Sequence, residues 1–286
     1  MRYRFIFDFA VQYPITVMCQ TLDVTRSGYY FWRRKPESLR AQEDRRLLEL
    51  IKSEHQLSFS IYGAPRIHKE LELKGEGCGR RRVARIMRVN GIFGKHRRKF
   101  FVTTDSHHSM PVAENVLNRQ FEPEAINQTW LSDITYIPTF EGWVFLAAVM
   151  DAKSRRIVGW AMSSKIDRML ACNALRDAVR RRKPAAGLLH HSDRGSQYAS
   201  NDYQDIIHQN GMIPSMSRKG NCWDNAPMES FFHSMKGEWL NDQNFRTRDQ
   251  ARAAIFDFIE VWYNRRRLHS ALGYQAPETF ERRIAV

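Results

Sequence analysis

Two aspartates and one glutamate are the residues of this sequence whose types and spacing are best suited to chemistry. Asp133 lies in WLSDITYI, Asp193 lies sixty positions later in HHSDRGSQY, and Glu229 follows after 35 intervening residues in APMESFFHSMKGEWL. Two carboxylates in one site repel each other, which raises one pKa unless a divalent cation neutralises them. A hard cation prefers such oxygen ligands. The three acids are therefore candidate metal ligands.

Each acid also has an ordinary structural interpretation. Asp193 belongs to S-D-R-G, which is common turn chemistry at the end of a strand, and Glu229 alone would be a solvated helix residue. A further acid, Asp151, stands in MDAKSRR, which we interpret as a hairpin turn where it has a structural role. His190 and His191 precede Asp193, so zinc bound by this pair is the competing metal site.

The segment around Glu229 predicts an amphipathic helix. Asn225 is suited to the N-cap position and Pro227 to the first turn. At about 100° per residue, Glu229, His233 and Lys236 share one face, a quarter to a third of a turn from an apolar stripe. The stripe consists of Met228, Phe231, Phe232, Met235 and Trp239. Glu229 is therefore expected to point away from the core.

The segments that carry Asp133 and Asp193 are typical of strands in one sheet. Three strand-like runs, TWLSDITYI, WVFLAAVMD and RRIVGWAMS, are joined by segments short enough for antiparallel hairpins. A helix, the strand GLLHHSD, a second helix, the strand MIPSMS and the Glu229 helix follow, which gives the order βββαβαβα. This order predicts an α/β fold with a mixed five-stranded sheet, flanking helices and neighbouring first and fourth strands. Asp133 and Asp193 would then meet at one sheet edge.

The first part of the chain is predicted to be all-α. LDVTRSGYY lies in a short helix-turn-helix, and EDRRLLELIKSEH, APRIHKELELKG and GRRRVARIMRVNG predict three amphipathic helices. The third of these has a basic face that we expect to contact DNA phosphates, the alternative being an ordinary solvated face. That face consists of Arg80, Arg81, Arg82, Arg85 and Arg88.

The charge of the chain is unevenly distributed. Its net charge is +14, and residues 1–120 hold 23 Lys and Arg against 12 Asp and Glu, whereas residues 121–286 hold 22 against 19. A basic excess of this size favours a nucleic-acid partner. We predict four parts: a helix-turn-helix segment over 1–36, a basic trihelical DNA-binding domain over 37–96, a linker over 97–120, and a catalytic domain with a C-terminal helical tail over 121–286.

The cysteines and the N-terminal segment indicate the cellular compartment that the sequence favours. The four cysteines are scattered with no C-x-x-C pair, which suggests neither a disulfide framework nor a zinc cluster and fits a reducing cytosol. Arg4, Asp8 and Pro14 interrupt the apolar opening, so it is read as neither a signal peptide nor a membrane span. His107 and His108 are expected in an exposed polar loop.

Together the acidic motifs closely resemble the catalytic domain of the retroviral-integrase-like DDE transposases, which have the RNase H-like fold. More narrowly, the chain resembles OrfB, the downstream-frame product of bacterial insertion sequences with two overlapping frames. The resemblance extends over nearly the whole chain, through LDVTRSGYY, YGAPRIHKEL, EGWVFLAAVMDAKSRRIVGW and VWYNRRRLHSALGYQAPETF. It implies that Asp133, Asp193 and Glu229 are the catalytic, metal-binding acids. Lys236 matches the family's basic residue two helical turns after the glutamate, and His233 is a second candidate for phosphate contact.

The same resemblance implies a transposase that cuts the ends of its own element and joins them to target DNA. Two Mg²⁺ or Mn²⁺ ions about 3.5–4 Å apart would serve in-line phosphoryl displacement. The implied partners are double-stranded DNA, the upstream-frame product OrfA as a fusion or a separate chain, and at least one further copy of the chain. The implied location is the bacterial cytoplasm at the nucleoid. An RNase H-like repair or processing nuclease, which would cleave without joining, and a DNA-binding regulator without catalysis are the alternatives.

Overall fold

The computed structural model describes residues 1–34, 37–95, 112–218 and 222–284. In these ranges no helix is long and apolar enough to cross a membrane. The first three helices form a small unit: α1 (Arg2–Asp8), α2 (Ile15–Thr21) and α3 (Arg26–Arg34). Its core consists of Ile6, Met18, Cys19 and Tyr29. The predicted helix-turn-helix corresponds to α2 and α3, and α1 packs on them.

The three predicted amphipathic helices are confirmed as α4 (Leu39–Leu57), α5 (Ala64–Leu73) and α6 (Arg80–Val89). The Ser38 side chain accepts the N–H of Ala41 and so caps α4, and α5 carries its proline in the first turn. Their apolar faces are buried together through Leu47, Ile51, Ile67, Leu71, Val83, Ile86 and Met87.

The predicted mixed sheet is also confirmed. Its elements are β1 (Thr129–Thr139), β2 (Gly142–Asp151), β3 (Ile157–Ser163), α7 (Arg168–Arg182), β4 (Leu189–Ser192), α8 (Ser196–Ala199), α9 (Asn201–Gln209) and β5 (Ile213–Met216). The strand order is β3-β2-β1-β4-β5. The first three strands pair antiparallel, whereas β4 pairs parallel with both β1 and β5. The first and fourth strands are thus neighbours.

Helical segments complete the chain after β5. They are a 3-10 helix (Cys222–Asn225), α10 (Ala226–Met235), a π-helical extension (Lys236–Leu240), α11 (Arg248–Phe256), a second π-helical stretch (Asp257–Tyr263), a 3-10 turn (Ser270–Leu272) and α12 (Pro277–Ile284). The predicted apolar stripe of α10 is confirmed, since Met228, Phe231, Phe232 and Met235 are buried and Trp239 packs against the same core. This burial holds α10 over β1.

One hydrophobic core continues from the α4–α6 unit into the C-terminal helical segments. Phe59 contacts Trp239 and Trp262 edge-on, with ring centroids 4.8 and 5.4 Å apart. The hydroxyl of buried Tyr62 accepts the N–H of Leu268 at 2.7 Å. The trihelical unit is therefore packed against the α10–α12 region, and the boundaries between the parts stay predictions.

The predicted linker is described only over 112–120, because residues 96–111, with His107 and His108, lie outside the described ranges. Leu117 is buried in the core. The amides of Val116 and Leu117 both donate to the Ser215 hydroxyl on β5, at 3.0 and 3.2 Å. The part of this segment that the structure describes therefore packs along the sheet.

Candidate active site

The pairing of β1 with β4 brings Asp133 and Asp193 to the same place. In the parallel register Leu131 lies opposite His191, which is the last pair before β4 ends at Ser192. Asp133 and Asp193 each stand two residues beyond that pair. Asp133 remains in β1, opposite Ala148 of β2, whereas Asp193 opens the turn after β4. Two carboxylates thus meet where the sheet ends on the β4 side.

The pKa of Asp133 reflects the nearby acids. Burial raises the pKa of Asp133 well above its usual value, the neighbouring charge of Asp193 raises it further, and Glu229 adds a smaller effect. The amide of Ile134, which donates to Oδ1 at 2.7 Å, and the charge of Lys236 oppose this rise in the pKa. The four residues predicted from the sequence therefore lie within electrostatic range of one another.

Asp193 also stabilises the turn after β4, as its structural interpretation predicts. Its Oδ1 accepts the N–H of Gly195 at 2.8 Å, which closes the turn after β4. The two interpretations are compatible, because an ionised carboxylate has two acceptor oxygens with about four lone-pair sites, so a turn contact does not exclude binding of a cation.

The start of α10 is held against β1 beside Asp133. Asn225 occupies the predicted N-cap position, yet its side chain caps no amide of α10. Its Nδ2 instead donates to the carbonyl oxygen of Ser132 at 3.0 Å, and Asn225 is buried. Glu229 follows one turn later. Solvent reaches its side chain, although the surrounding protein partly desolvates the carboxyl group and so raises its pKa. Asn225 thus connects the helix of Glu229 to the strand of Asp133.

Lys236 reaches the same place from the end of α10. Its ammonium lies 4.8 Å from the ring centroid of Tyr136 on β1, a cation–π contact. Burial lowers the pKa of Lys236, and the charge of Asp133 opposes that change. Trp143 packs edge-on against the Tyr136 ring at 5.0 Å. His233 is half-buried on α10, between Glu229 and Lys236 in sequence.

A buried ionic cluster beside Asn225 was not predicted from the sequence. Asp224 is 0% exposed, and its carboxylate accepts hydrogen bonds from Asn115 (2.8 Å), Arg119 (2.9 Å) and both the backbone and guanidinium of Arg218 (2.9–3.1 Å). Burial alone would raise the pKa of Asp224, but these hydrogen bonds outweigh it and hold the pKa below its usual value. We name this group the Asp224 clamp. Its partners Asn115 and Arg119 lie about a hundred residues away in the chain, so no local pattern identifies them.

The other candidate acid and the histidine pair have structural partners. Asp151 is buried and accepts the backbone N–H groups of Asn127 (2.6 Å), Lys153 (3.0 Å) and Ser154 (3.0 Å), in keeping with the predicted turn role. Burial lowers the pKa of His190 to about 3 and that of His191 to about 4, so both rings are neutral at pH 7.

The hydrogen bonds of the histidines are made to hydroxyl groups. Nε2 of His190 lies 3.1 Å from the hydroxyls of both Ser132 and Tyr203. The two ring nitrogens of His191 lie 2.9 and 3.1 Å from the hydroxyls of Ser215 and Ser217. The rings therefore join β1, β4 and β5 within the core, and nothing in these contacts favours the competing zinc site.

The arginines predicted to form the basic face of α6 divide into two groups. Arg82 Nε donates to Asp44 Oδ1 at 2.6 Å, and Arg85 pairs with the other oxygen of the same carboxylate. The remaining three are exposed: Arg80, Arg81 and Arg88. A basic surface is thus present, and two of its members also bind α6 to α4.

The donor set at the end of β4 fits a hard divalent cation. Asp133 and Asp193 offer carboxylate oxygens whose mutual repulsion a cation would relieve. Over the described residues, no group of three or more His, Cys, Asp or Glu side chains is already arranged to hold a metal ion. A site that includes Glu229 as a third ligand therefore stays a prediction.

Family models match the chain in three places. A model of the integrase core domain matches residues 123–222, a second integrase core model matches 210–277, and a helix-turn-helix-like domain model matches 42–100. The chain is 47% identical over 263 residues to the insertion element IS600 uncharacterized 31 kDa protein of Shigella sonnei, covering 92% of this chain and 97% of that one. It is 42% identical over 283 residues to transposase InsF for insertion sequence IS3A of Escherichia coli strain K12, covering 98% of both chains.

The solved structures to which the chain is similar include viral integrases. The simian T-cell lymphotropic virus intasome, in complex with a regulatory subunit of PP2A, gives a TM-score of 0.47 at 13% identity, covering 81% of this chain and 74% of that one. The HTLV-2 integrase catalytic core domain in complex with magnesium gives a TM-score of 0.41 at 16% identity, covering 54% of this chain and 96% of that one.

Proposed function

Because the chain belongs to the family of IS3-type insertion-sequence transposases with an integrase core domain, we propose that Asp133, Asp193 and Glu229 are its catalytic carboxylates. The protein is a DDE polynucleotidyl transferase that cleaves DNA and integrates it. The observation that carries the residue assignment is the β1–β4 register, because Asp133 and Asp193 each stand two residues beyond its last pair.

Divalent metal ions serve this chemistry, and we assign their binding to the same three acids. The ions are Mg²⁺ or Mn²⁺, in our proposal two of them, which when bound activate the attacking oxygen and stabilise the leaving oxygen. The chain's own contribution is placement. Asp133 stands in β1, Asp193 opens the turn directly after β4, and Asn225 holds the start of α10 against β1. In our proposal this contact orients Glu229 toward the two aspartates. Lys236, beside Asp133, binds a phosphate oxygen of the substrate, and His233 is a second phosphate contact.

DNA is the substrate, and we propose that the basic surface of α6 binds its phosphates. Arg80, Arg81 and Arg88 are exposed and available for such contacts. Arg82 and Arg85 are paired with Asp44, so their part in DNA binding requires them to exchange or share that partner. DNA binding of this kind is insensitive to sequence.

Recognition of the element's ends needs more than phosphate contacts. We propose that OrfA, as a frameshift fusion or a separate chain, supplies it, and that two element ends are held by at least a dimer. The bacterial nucleoid, where the element's DNA lies, is the proposed location. In a gel-shift assay the chain alone should bind DNA weakly and with little preference for element ends. Tight, end-specific binding by the chain alone would contradict the proposed role of OrfA.

The test of the function uses a labelled duplex of the element's end, an unlabelled target duplex, Mg²⁺ and the chain together with OrfA. We expect both nicked ends and end–target joints, which require the attack of a DNA 3′-hydroxyl. Nicking without joints would indicate the nuclease alternative. Binding without either product would indicate a regulator.

A further inference from the structure

Trp223 is a large aromatic side chain held out to solvent beside two buried residues. Trp223 is 68% exposed, whereas Asp224 is 0% and Asn225 is 5% exposed. Tryptophan is usually well buried, because its indole offers a large apolar area. Packing against the residues that the structure describes therefore does not account for the position of this indole.

The residues that follow Trp223 are firmly held. The Asp224 clamp binds this point of the backbone to the segment around Asn115 and Arg119, and Asn225 binds it to β1. Trp223 also lies within the 3-10 helix Cys222–Asn225. Its outward position is thus set by the bonded residues beside it.

The surroundings of Trp223 suit a nucleic acid. Asn225 bonds to the residue before Asp133, so Trp223 lies two residues along the chain from a contact with the candidate active site. Arg119 and Arg218, whose side chains are 45% and 48% exposed, both pair with Asp224, the residue next to Trp223, so two partly exposed guanidinium groups lie close to it. An exposed aromatic ring beside cationic groups is the combination that binds unpaired nucleotides.

We propose that Trp223 is a DNA-binding residue whose indole stacks on an unstacked base next to the scissile phosphate. The proposal rests on the assignment of Asp133, Asp193 and Glu229 for its position. Stacking on an indole tolerates any base, because every base has a π face, and it contributes about 5- to 150-fold in affinity per base. The alternative binding partner of the exposed indole is another protein surface, and the test below distinguishes it.

The experiment places the fluorescent adenine analogue 2-aminopurine singly at each position around the cleavage point of the end duplex. With the chain and OrfA present, the emission at one position should change on binding, and Trp223→Ala should abolish that change. Binding should weaken about 5- to 150-fold in Trp223→Ala and be largely retained in Trp223→Tyr. Since the indole is exposed, the melting temperature should stay at the wild-type value.

An abasic end duplex separates stacking from other effects. With the base removed at the responsive position, wild type and Trp223→Ala should bind equally. The matched control is Phe256→Ala, which removes a 48%-exposed ring that contacts Trp160 on the edge strand β3, away from Asp193. This control should bind every duplex like the wild type.

Three results would overturn the proposal. They are wild-type binding by Trp223→Ala, an equal loss with intact and abasic duplexes, and a change in self-association by Trp223→Ala with DNA binding intact, which would assign the ring to a protein contact. Glu229→Gln distinguishes this proposal from the catalytic assignment. It should lose cleavage and keep the 2-aminopurine response, so each assignment can fail without the other.

Discussion

Replacing Asp224 with asparagine should destabilise the protein, although Asp224 is assigned no part in the chemistry. The carboxylate accepts hydrogen bonds from two guanidinium groups, one backbone amide and one side-chain amide while fully buried. The asparagine side chain would carry no charge and would place an NH₂ group against these donors. Because the lost contacts hold the start of α10, end cleavage should slow as well.

The size of the effect follows from how exposed the partners are. Breaking a fully buried ion pair costs about 3–5 kcal/mol. Arg119 and Arg218 are about half exposed, so water can replace part of the hydrogen bonding that their guanidinium groups lose. Asp224→Asn should therefore lower the free energy of unfolding by about 2–3 kcal/mol at pH 7. The pKa of Asp224 lies below its usual value, so this stabilisation is complete above about pH 4 and is lost as the pH falls further.

Urea unfolding followed by circular dichroism measures this difference at pH 7 and again below pH 4. The matched control is Asp249→Asn, which removes an Asp–Arg pair whose carboxylate side chain is 86% exposed, and which should change the stability little. The difference in the free energy of unfolding between wild type and Asp224→Asn should be smaller at the lower pH. Equal losses for the two variants at pH 7, or a gap that widens in acid, would refute the reasoning about the clamp.

Two further predictions concern DNA binding and metal binding. Arg81→Ala and Arg88→Ala should weaken DNA binding similarly for all sequences and flatten its salt dependence. Arg82→Ala should also lower the melting temperature, because it removes an ion pair to α4. A loss of binding confined to one DNA sequence would indicate base readout instead. Calorimetric titration with Mg²⁺ or Mn²⁺ should give binding that is lost in Asp133→Asn and Asp193→Asn, and zinc bound by the adjacent histidines of β4 would contradict this.

The sheet and its two aspartates were predictable because short-range patterns determine them. Short apolar runs separated by turn residues mark the strands, and the order βββαβαβα leaves few ways to arrange them, so the β1–β4 neighbourhood of Asp133 and Asp193 follows. The helix of Glu229 was predictable for the same reason, since its apolar stripe has helical spacing. Its N-cap position was predicted, but the hydrogen bond of Asn225 to Ser132 was not, because a tertiary partner replaced the local one.

Contacts between distant segments could not be derived from the sequence. In the sequence, Asp224 lies in the polar stretch RKGNCWDN, which has no distinctive pattern, and only the folded chain brings Asn115 and Arg119 to it. The pairing of Arg82 with Asp44 likewise depends on how α6 crosses α4. Periodicity reports which face of a helix is buried, and it does not report which polar partner that face will meet.

The catalytic assignment is tested most directly by replacing the candidate acids with their amides. Asp193→Asn and Glu229→Gln keep the size of the side chain and remove a metal ligand, so nicking and joining of the labelled end duplex with Mg²⁺ and OrfA should both be lost. DNA binding should persist or tighten, because a negative charge near phosphate is removed. Asp205→Asn on the exposed side of α9 is the matched control, since buried Asp151 is needed by the fold. Joining by Asp193→Asn at the wild-type rate would show that Asp193 is only a turn residue, and would contradict the assignment.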